Sequence, residues 1–157
     1  MSDWNISKTE NPTNNVDLVE MLVDPSFGTK FTDHMAVIDY DSDVWKNHRV
    51  VPYAKLELDP ACAVLHYSQE IFEGLKAYRR SDDSVWLFRP YENAKRFQAS
   101  AERLCLPVLS EQDFVDSVVN LVQTDLRFVP TGLDKSLYLR PFMFASETFL
   151  GVHAAKE

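Results

Sequence analysis

Glycine is scarce in this 157-residue chain. The four present are scattered, so no glycine-rich loop of the kind that cradles a phosphate exists. Cysteine is scarcer: Cys62 and Cys105 are far apart, match no CxxC or zinc spacing and lie in apolar company, which predicts buried thiols. The histidines at 34, 48, 66 and 153 show no metal spacing with carboxylates or thiols and read as hydrogen-bonded structural or surface groups. No apolar run approaches the roughly 18 to 20 residues of a membrane-spanning helix. Positive charge is in deficit, with 16 Lys and Arg against 24 Asp and Glu. The resulting net charge of −8 repels nucleic acid and anionic membranes as a whole, which argues against either as a partner. Any anion site must be local. The N-terminus, MSDWNISKTENPTNN, carries acid, amide and proline where a secretory signal needs a basic start and an apolar stretch, and so points to a cytoplasmic protein.

What is present suits one domain, with 45% hydrophobic residues and a length near the commonest domain size. Residues 1–15 are polar and aperiodic, and read as a mobile arm ahead of a domain over 16–157. TDHMAVIDYD from Thr32, and AKLELD, where Leu56 and Leu58 alternate with Lys55, Glu57 and Asp59, predict strands with one buried face. Gly74 to Tyr78 and Val85 to Phe88 flank the turn residues RRSDDS and predict an antiparallel hairpin. Asn93 is placed to cap a helix in which Ala94, Phe97, Ala101 and Leu104 recur at helical spacing, stopped by Pro107. A second helix opens at Ser110, with Asp113 three residues on and an apolar stripe of Phe114, Val118, Leu121 and Val122, and ends before Pro130. LYLR is read as the last strand. The order suggests an α+β fold, a two-layer sandwich with a mainly antiparallel sheet and helices on one face.

Arg96 stands out among the charges because the predicted helix places it in the first turn, off the apolar face. A guanidinium there suits an anion, and the helix start adds a favourable field. From spacing alone, however, a solvated surface arginine is the simpler reading. Tyr138 and Arg140 share one face of LYLR, with Leu137 and Leu139 on the other. A face holding a phenol and a guanidinium serves either a pocket for a polar ligand or a salt bridge to a carboxylate. Phe27, Tyr67 and Phe72 read, by residue type, as core aromatics.

Three segments carry a family resemblance: HYSQEIFEGLKAY (66–78), LFRPYENAKRFQASAERLCLP (87–107) and SLYLRP (136–141). Together they resemble branched-chain amino acid aminotransferases, class IV enzymes that use pyridoxal phosphate, and the likeness runs almost unbroken from Phe27 to Val152. The joint presence of FTDHM, HYSQEIFEGLKAY and LYLRP argues against other class IV enzymes such as D-amino acid aminotransferase or aminodeoxychorismate lyase. The resemblance implies the small N-terminal domain of the class IV fold. In that reading Arg96, in NAKR, holds the cofactor phosphate. Phe27, Tyr67 and Phe72 form the apolar pocket for a branched side chain. Tyr138 and Arg140 line the substrate site, the arginine taking the second carboxylate of glutamate or 2-oxoglutarate. Val152, in FLGVH, and Tyr67 reach a neighbouring subunit's site, so a homodimer is expected. The substrates implied are branched-chain amino acids and their 2-oxo acids. The lysine that holds the cofactor covalently belongs to a C-terminal domain expected to be absent here. None of the eight lysines matches it, Lys76 in FEGLKAY included, so the isolated chain is expected to be inactive.

Overall fold

A computed structural model describes residues 3–25, 27–132 and 134–157. The N-terminal segment, expected to be a mobile arm, is docked in it. Its first strand, β1 (Asn5–Ile6), runs parallel to β3 (Val44–Pro52), and the Ser7 amide donates to the Val50 carbonyl at 2.9 Å. Further on, the Thr9 amide donates to His34 Nε2 at 2.9 Å, and Thr13 donates through both amide and hydroxyl to the Asp33 carboxylate. Composition failed here because the segment buries little apolar surface; what holds it is a set of backbone donors satisfied at the edge of a sheet. It leads into helix α1 (Asn15–Val23), capped by the Asn14 side chain, which accepts from the amides of Val16 and Asp17.

Strand β2 (His34–Asp41) pairs antiparallel with β3 through a two-residue turn, Ser42–Asp43, in which both residues have positive φ. That geometry matches the right-handed twist of the strands it joins. β2 realises the predicted TDHMAVIDYD strand. AKLELD does not form one: 55–59 lies outside every strand and is exposed, Leu56 and Leu58 included. Alternation is not sufficient for a half-buried strand, since a ladder also needs a partner and a face to bury, and here Leu56 and Leu58 pack into neither.

After the short helix α2 (Ala63–Tyr67) come β4 (Glu70–Phe72), β5 (Leu75–Arg79) and β6 (Val85–Leu87), and β5 and β6 form the predicted hairpin. LYLR supplies β7 (Leu137–Leu139), which pairs with the other edge of β5, but it is not the last strand. β8 (Phe142–Phe144) follows and pairs with β4. The partners Phe72↔Phe142 and Leu75↔Leu139 keep one register, so the two ladders are a single antiparallel pair interrupted at Glu73–Gly74 opposite Arg140–Pro141. Pro141 has no N–H to give, though its carbonyl still accepts from the Glu73 amide at 2.8 Å.

Both expected helices form. Helix α3 (Pro90–Arg103) starts earlier than predicted, with Pro90 at its first position and Arg89 as the cap residue; Asn93 lies inside the first turn and does not cap. Helix α4 (Glu111–Thr124) is capped as expected, Ser110 Oγ accepting from the Asp113 amide at 3.0 Å. Phe97 and Phe114 meet across the two helices, ring centroids 5.2 Å apart, and with Ala94, Ala101, Val118 and Val122 they cover the inner face of β5 and β7. The fold is therefore α+β with helices on one sheet face, although its strands divide into three small sheets where one was expected. Cys62 is buried as predicted. Cys105 is exposed: the chain turns there with φ 53°, and it is the next residue, Leu106, that enters the core. No described helix is long and apolar enough to cross a membrane.

Candidate active site

The interruption in the ladder decides what each face of the β4–β5 segment carries. Side chains alternate along a strand, so Ile71, Glu73, Leu75 and Ala77 turn inward while Phe72, Gly74, Lys76 and Tyr78 turn outward, and the burial alternates in step. On the facing strand Tyr138 stands opposite Lys76, and Arg140 and Phe142 continue the same outer side.

Four of the residues singled out in the sequence meet on that outer side. Arg140 donates from Nε to Tyr138 Oη at 3.0 Å, and its guanidinium lies 4.6 Å from the centre of the Phe72 ring and 5.3 Å from that of Tyr138. The Phe27 ring meets Tyr138 edge-on at 5.1 Å, although Phe27 is 77% exposed. Arg140 is exposed and Tyr138 half-buried, on the shared face that the alternation of LYLR predicted. Gly74 makes the arrangement fit: a Cβ there would lie 2.5 Å from Tyr138 Oη. The result is an aromatic wall with a cation laid across it, able to take an apolar side chain on the rings and an anionic group on the guanidinium.

Arg96 comes to the same segment from the helix side. It sits in the second turn of α3, one turn later than the sequence reading, and pairs with Glu73 through Nε–Oε1 at 3.0 Å and Nη2–Oε2 at 2.9 Å. Its side chain remains 62% exposed while that of Glu73 is 9% exposed. The Asn93 side chain donates to Glu73 Oε2 at 2.8 Å and to the Gly74 carbonyl at 3.2 Å. Burial pushes the Glu73 carboxyl up, but hydrogen bonds from Arg96 and Asn93, the Arg96 charge and the Gly74 amide outweigh it and hold it below the usual carboxylate range. Together with Glu70, Phe72 and Ser100, this pair lines an open groove between β4 and α3. The outer Nη1–Nη2 edge of Arg96 is left by Glu73 for an anion, so the residues present fit a phosphorylated cofactor.

Tyr67 and Val152 do not join the cluster. Tyr67 lies in α2 against His66, and Val152 is exposed near the C-terminus. Lys76 shares the outer face with Tyr138. Glu73 went unnoticed in the sequence and Asn93 was read only as a helix cap, yet a signal for Glu73 was available: an acid standing at an inward position between Ile71 and Leu75 needs a buried partner. Among the described residues no cluster of acidic, histidine or cysteine side chains could hold a metal ion.

No protein-family model matches the chain. A branched-chain-amino-acid aminotransferase of Mycolicibacterium smegmatis is 47% identical over 157 residues, which is 99% of this chain and 43% of that protein. The chain thus spans less than half the length of the curated relative it matches. Among solved structures, the branched-chain aminotransferase of Thermoproteus uzoniensis with norvaline superposes with a TM-score of 0.56 at 21% identity, covering 76% of this chain and 36% of the other. A second, the T.th. branched-chain amino acid aminotransferase complexed with N-(5'-phosphopyridoxyl)-L-glutamate, gives 0.54 at 23% identity, covering 76% and 36%. These two likenesses show a shared fold.

Proposed function

We propose that this chain, related along 99% of its length to a branched-chain aminotransferase, forms the part of such an enzyme that grips the cofactor phosphate and shapes the substrate pocket, as its small N-terminal domain. The observation that carries the reading is the meeting of Phe27, Phe72, Tyr138 and Arg140 in one cluster, with Arg96 on the adjoining helix. The reaction is transfer of an amino group between leucine, isoleucine or valine and 2-oxoglutarate. Pyridoxal phosphate, when bound, supplies the electron sink for that chemistry. Arg96 offers its outer edge to the phosphate. Phe27, Phe72 and Tyr138 present rings to the aliphatic side chain, and Arg140 takes the distal carboxylate of glutamate or 2-oxoglutarate. Tyr67 and Val152, exposed and away from the cluster, serve the pocket of a second copy in a homodimer. The enzyme works in the cytoplasm. None of the eight lysines is assigned the covalent link to the cofactor, and the 157 residues alone are catalytically silent.

The test compares substrates in an active enzyme containing this chain. Arg140→Met keeps the apolar stem and removes a charge-assisted contact of about 1.5 to 3 kcal/mol. The KM for 2-oxoglutarate should rise roughly ten- to a hundredfold, with that for leucine little changed. Equal damage to both would make Arg140 a support for Tyr138 and Phe72 and would remove it from the pocket.

A further inference from the structure

Arg96 is an exposed side chain on a helix surface, and a free arginine there would sample many rotamers. Glu73 removes that freedom. It is buried, it is held by Asn93 at 2.8 Å and by the Gly74 amide at 3.3 Å, and it grips the guanidinium at two points, Nε and Nη2. A two-point contact fixes the plane of the guanidinium as well as its position. Only the Nε–Nη2 edge is used by Glu73, so the outer Nη1–Nη2 edge is left to a ligand, and Arg96 lines the groove together with Phe72 and Ser100.

We infer that Glu73 is the positioning residue of the phosphate site: it aims Arg96 so that an incoming phosphate monoester meets the outer edge of the guanidinium while the inner edge stays bound to the protein. This rests on the assignment of Arg96 to the cofactor phosphate. Two effects of the carboxylate oppose each other. Its negative charge repels the phosphate, and its grip removes the disorder that phosphate binding would otherwise have to freeze. The carboxylate lies behind the guanidinium, and water at this exposed edge screens it, so the ordering effect prevails. Asn93 completes the device, because an anchor that could itself rotate would fix nothing.

The experiment uses the 157-residue chain with isotopically labelled arginine and pyridoxamine 5'-phosphate as probe, which has the phosphate but no aldehyde to react with lysines. Inorganic phosphate is the second probe. Nuclear magnetic resonance should show the Arg96 Nη signals resolved by hindered rotation. On titration the Nη signals should move while Nε stays. Glu73→Gln, which keeps the shape and an acceptor but not the charge, should lose the resolved signals and weaken phosphate binding by at least about threefold, well within the range of a charge-assisted bond. Far-UV circular dichroism checks that the variant remains folded. A purely structural Glu73 would lower the melting temperature and leave the dissociation constant unchanged, overturning the inference. Tighter binding by Glu73→Gln, or movement of Nε in the unsubstituted chain, would mean that Glu73 competes with the phosphate, and would overturn it too. If no Arg96 signal responds to either probe in the unsubstituted chain, the phosphate assignment itself fails and this inference with it.

Discussion

Gly74 shows how one missing atom organises a site. The space its Cβ would fill is held by the Tyr138 hydroxyl, 2.5 Å from that point, with the ring behind it at 3.1 Å. Gly74→Ala should therefore push the phenol aside and disturb the Arg140 contact it accepts, at a cost of about 1 to 3 kcal/mol for overpacking. Chemical denaturation checks the magnitude. In a double-mutant cycle with Tyr138→Phe the two changes should be non-additive, since both act on the same hydroxyl; additive effects would show that the close approach is relieved elsewhere. At this scale the sequence exposed Arg96, Tyr138 and Arg140 as side chains set off apolar faces. It concealed Gly74 and showed of Glu73 only that an inward acid needs a partner; both roles arise only when β7 lies against β5 and α3 lies across the break between β4 and β5.

Helices proved legible where their signals were local. α4 begins where Ser110 and Asp113 say it should, because the cap is made within four residues and needs no distant partner. Ser110→Ala should cost about 1 kcal/mol, read as a lowered denaturation midpoint with an unchanged slope; no shift would mean that water replaces the hydroxyl fully. Asn93 presented the same local signal and was misread. Its amide is drawn away by Glu73 and Gly74, while Pro90 starts the helix a turn earlier. Among the strands, the β5–β6 hairpin followed from its turn residues, whereas β4 and β8 are three-residue pieces whose existence depends on each other. AKLELD had the better alternation, yet it pairs with no strand and stays exposed.

The whole molecule is covered on one side only. The inner face of β5 and β7 is sealed by α3 and α4, while Phe27, Phe72, Tyr78, Trp86 and Phe88 stand exposed on or beside the outer face. Arg80 lies over Trp86 at 4.9 Å and screens part of it. Apolar patches beyond a few hundred Å² drive association in soluble proteins. The chain should bind a hydrophobic dye and self-associate on concentration, seen by light scattering across a dilution series. Trp86→Ser with Phe88→Ser should reduce both. A strictly monomeric species without dye binding would mean that the outer face closes on its own loops, and the proposal that its rings shape a substrate pocket would fall.

The sequence alone determined the α+β class, the two helices and the hairpin after Gly74, because each depends on periodicity, capping or turn chemistry within a few residues. Tertiary structure decided the rest. Docking of the N-terminal segment needs the free edge of β3 and the His34 ring. The pairing of Arg96 with Glu73 joins residues 23 apart in sequence, and the contact of Phe27 with Tyr138 spans more than a hundred. Such contacts leave no pattern along the chain, since they are selected by which surfaces remain unpaired once the local elements have formed.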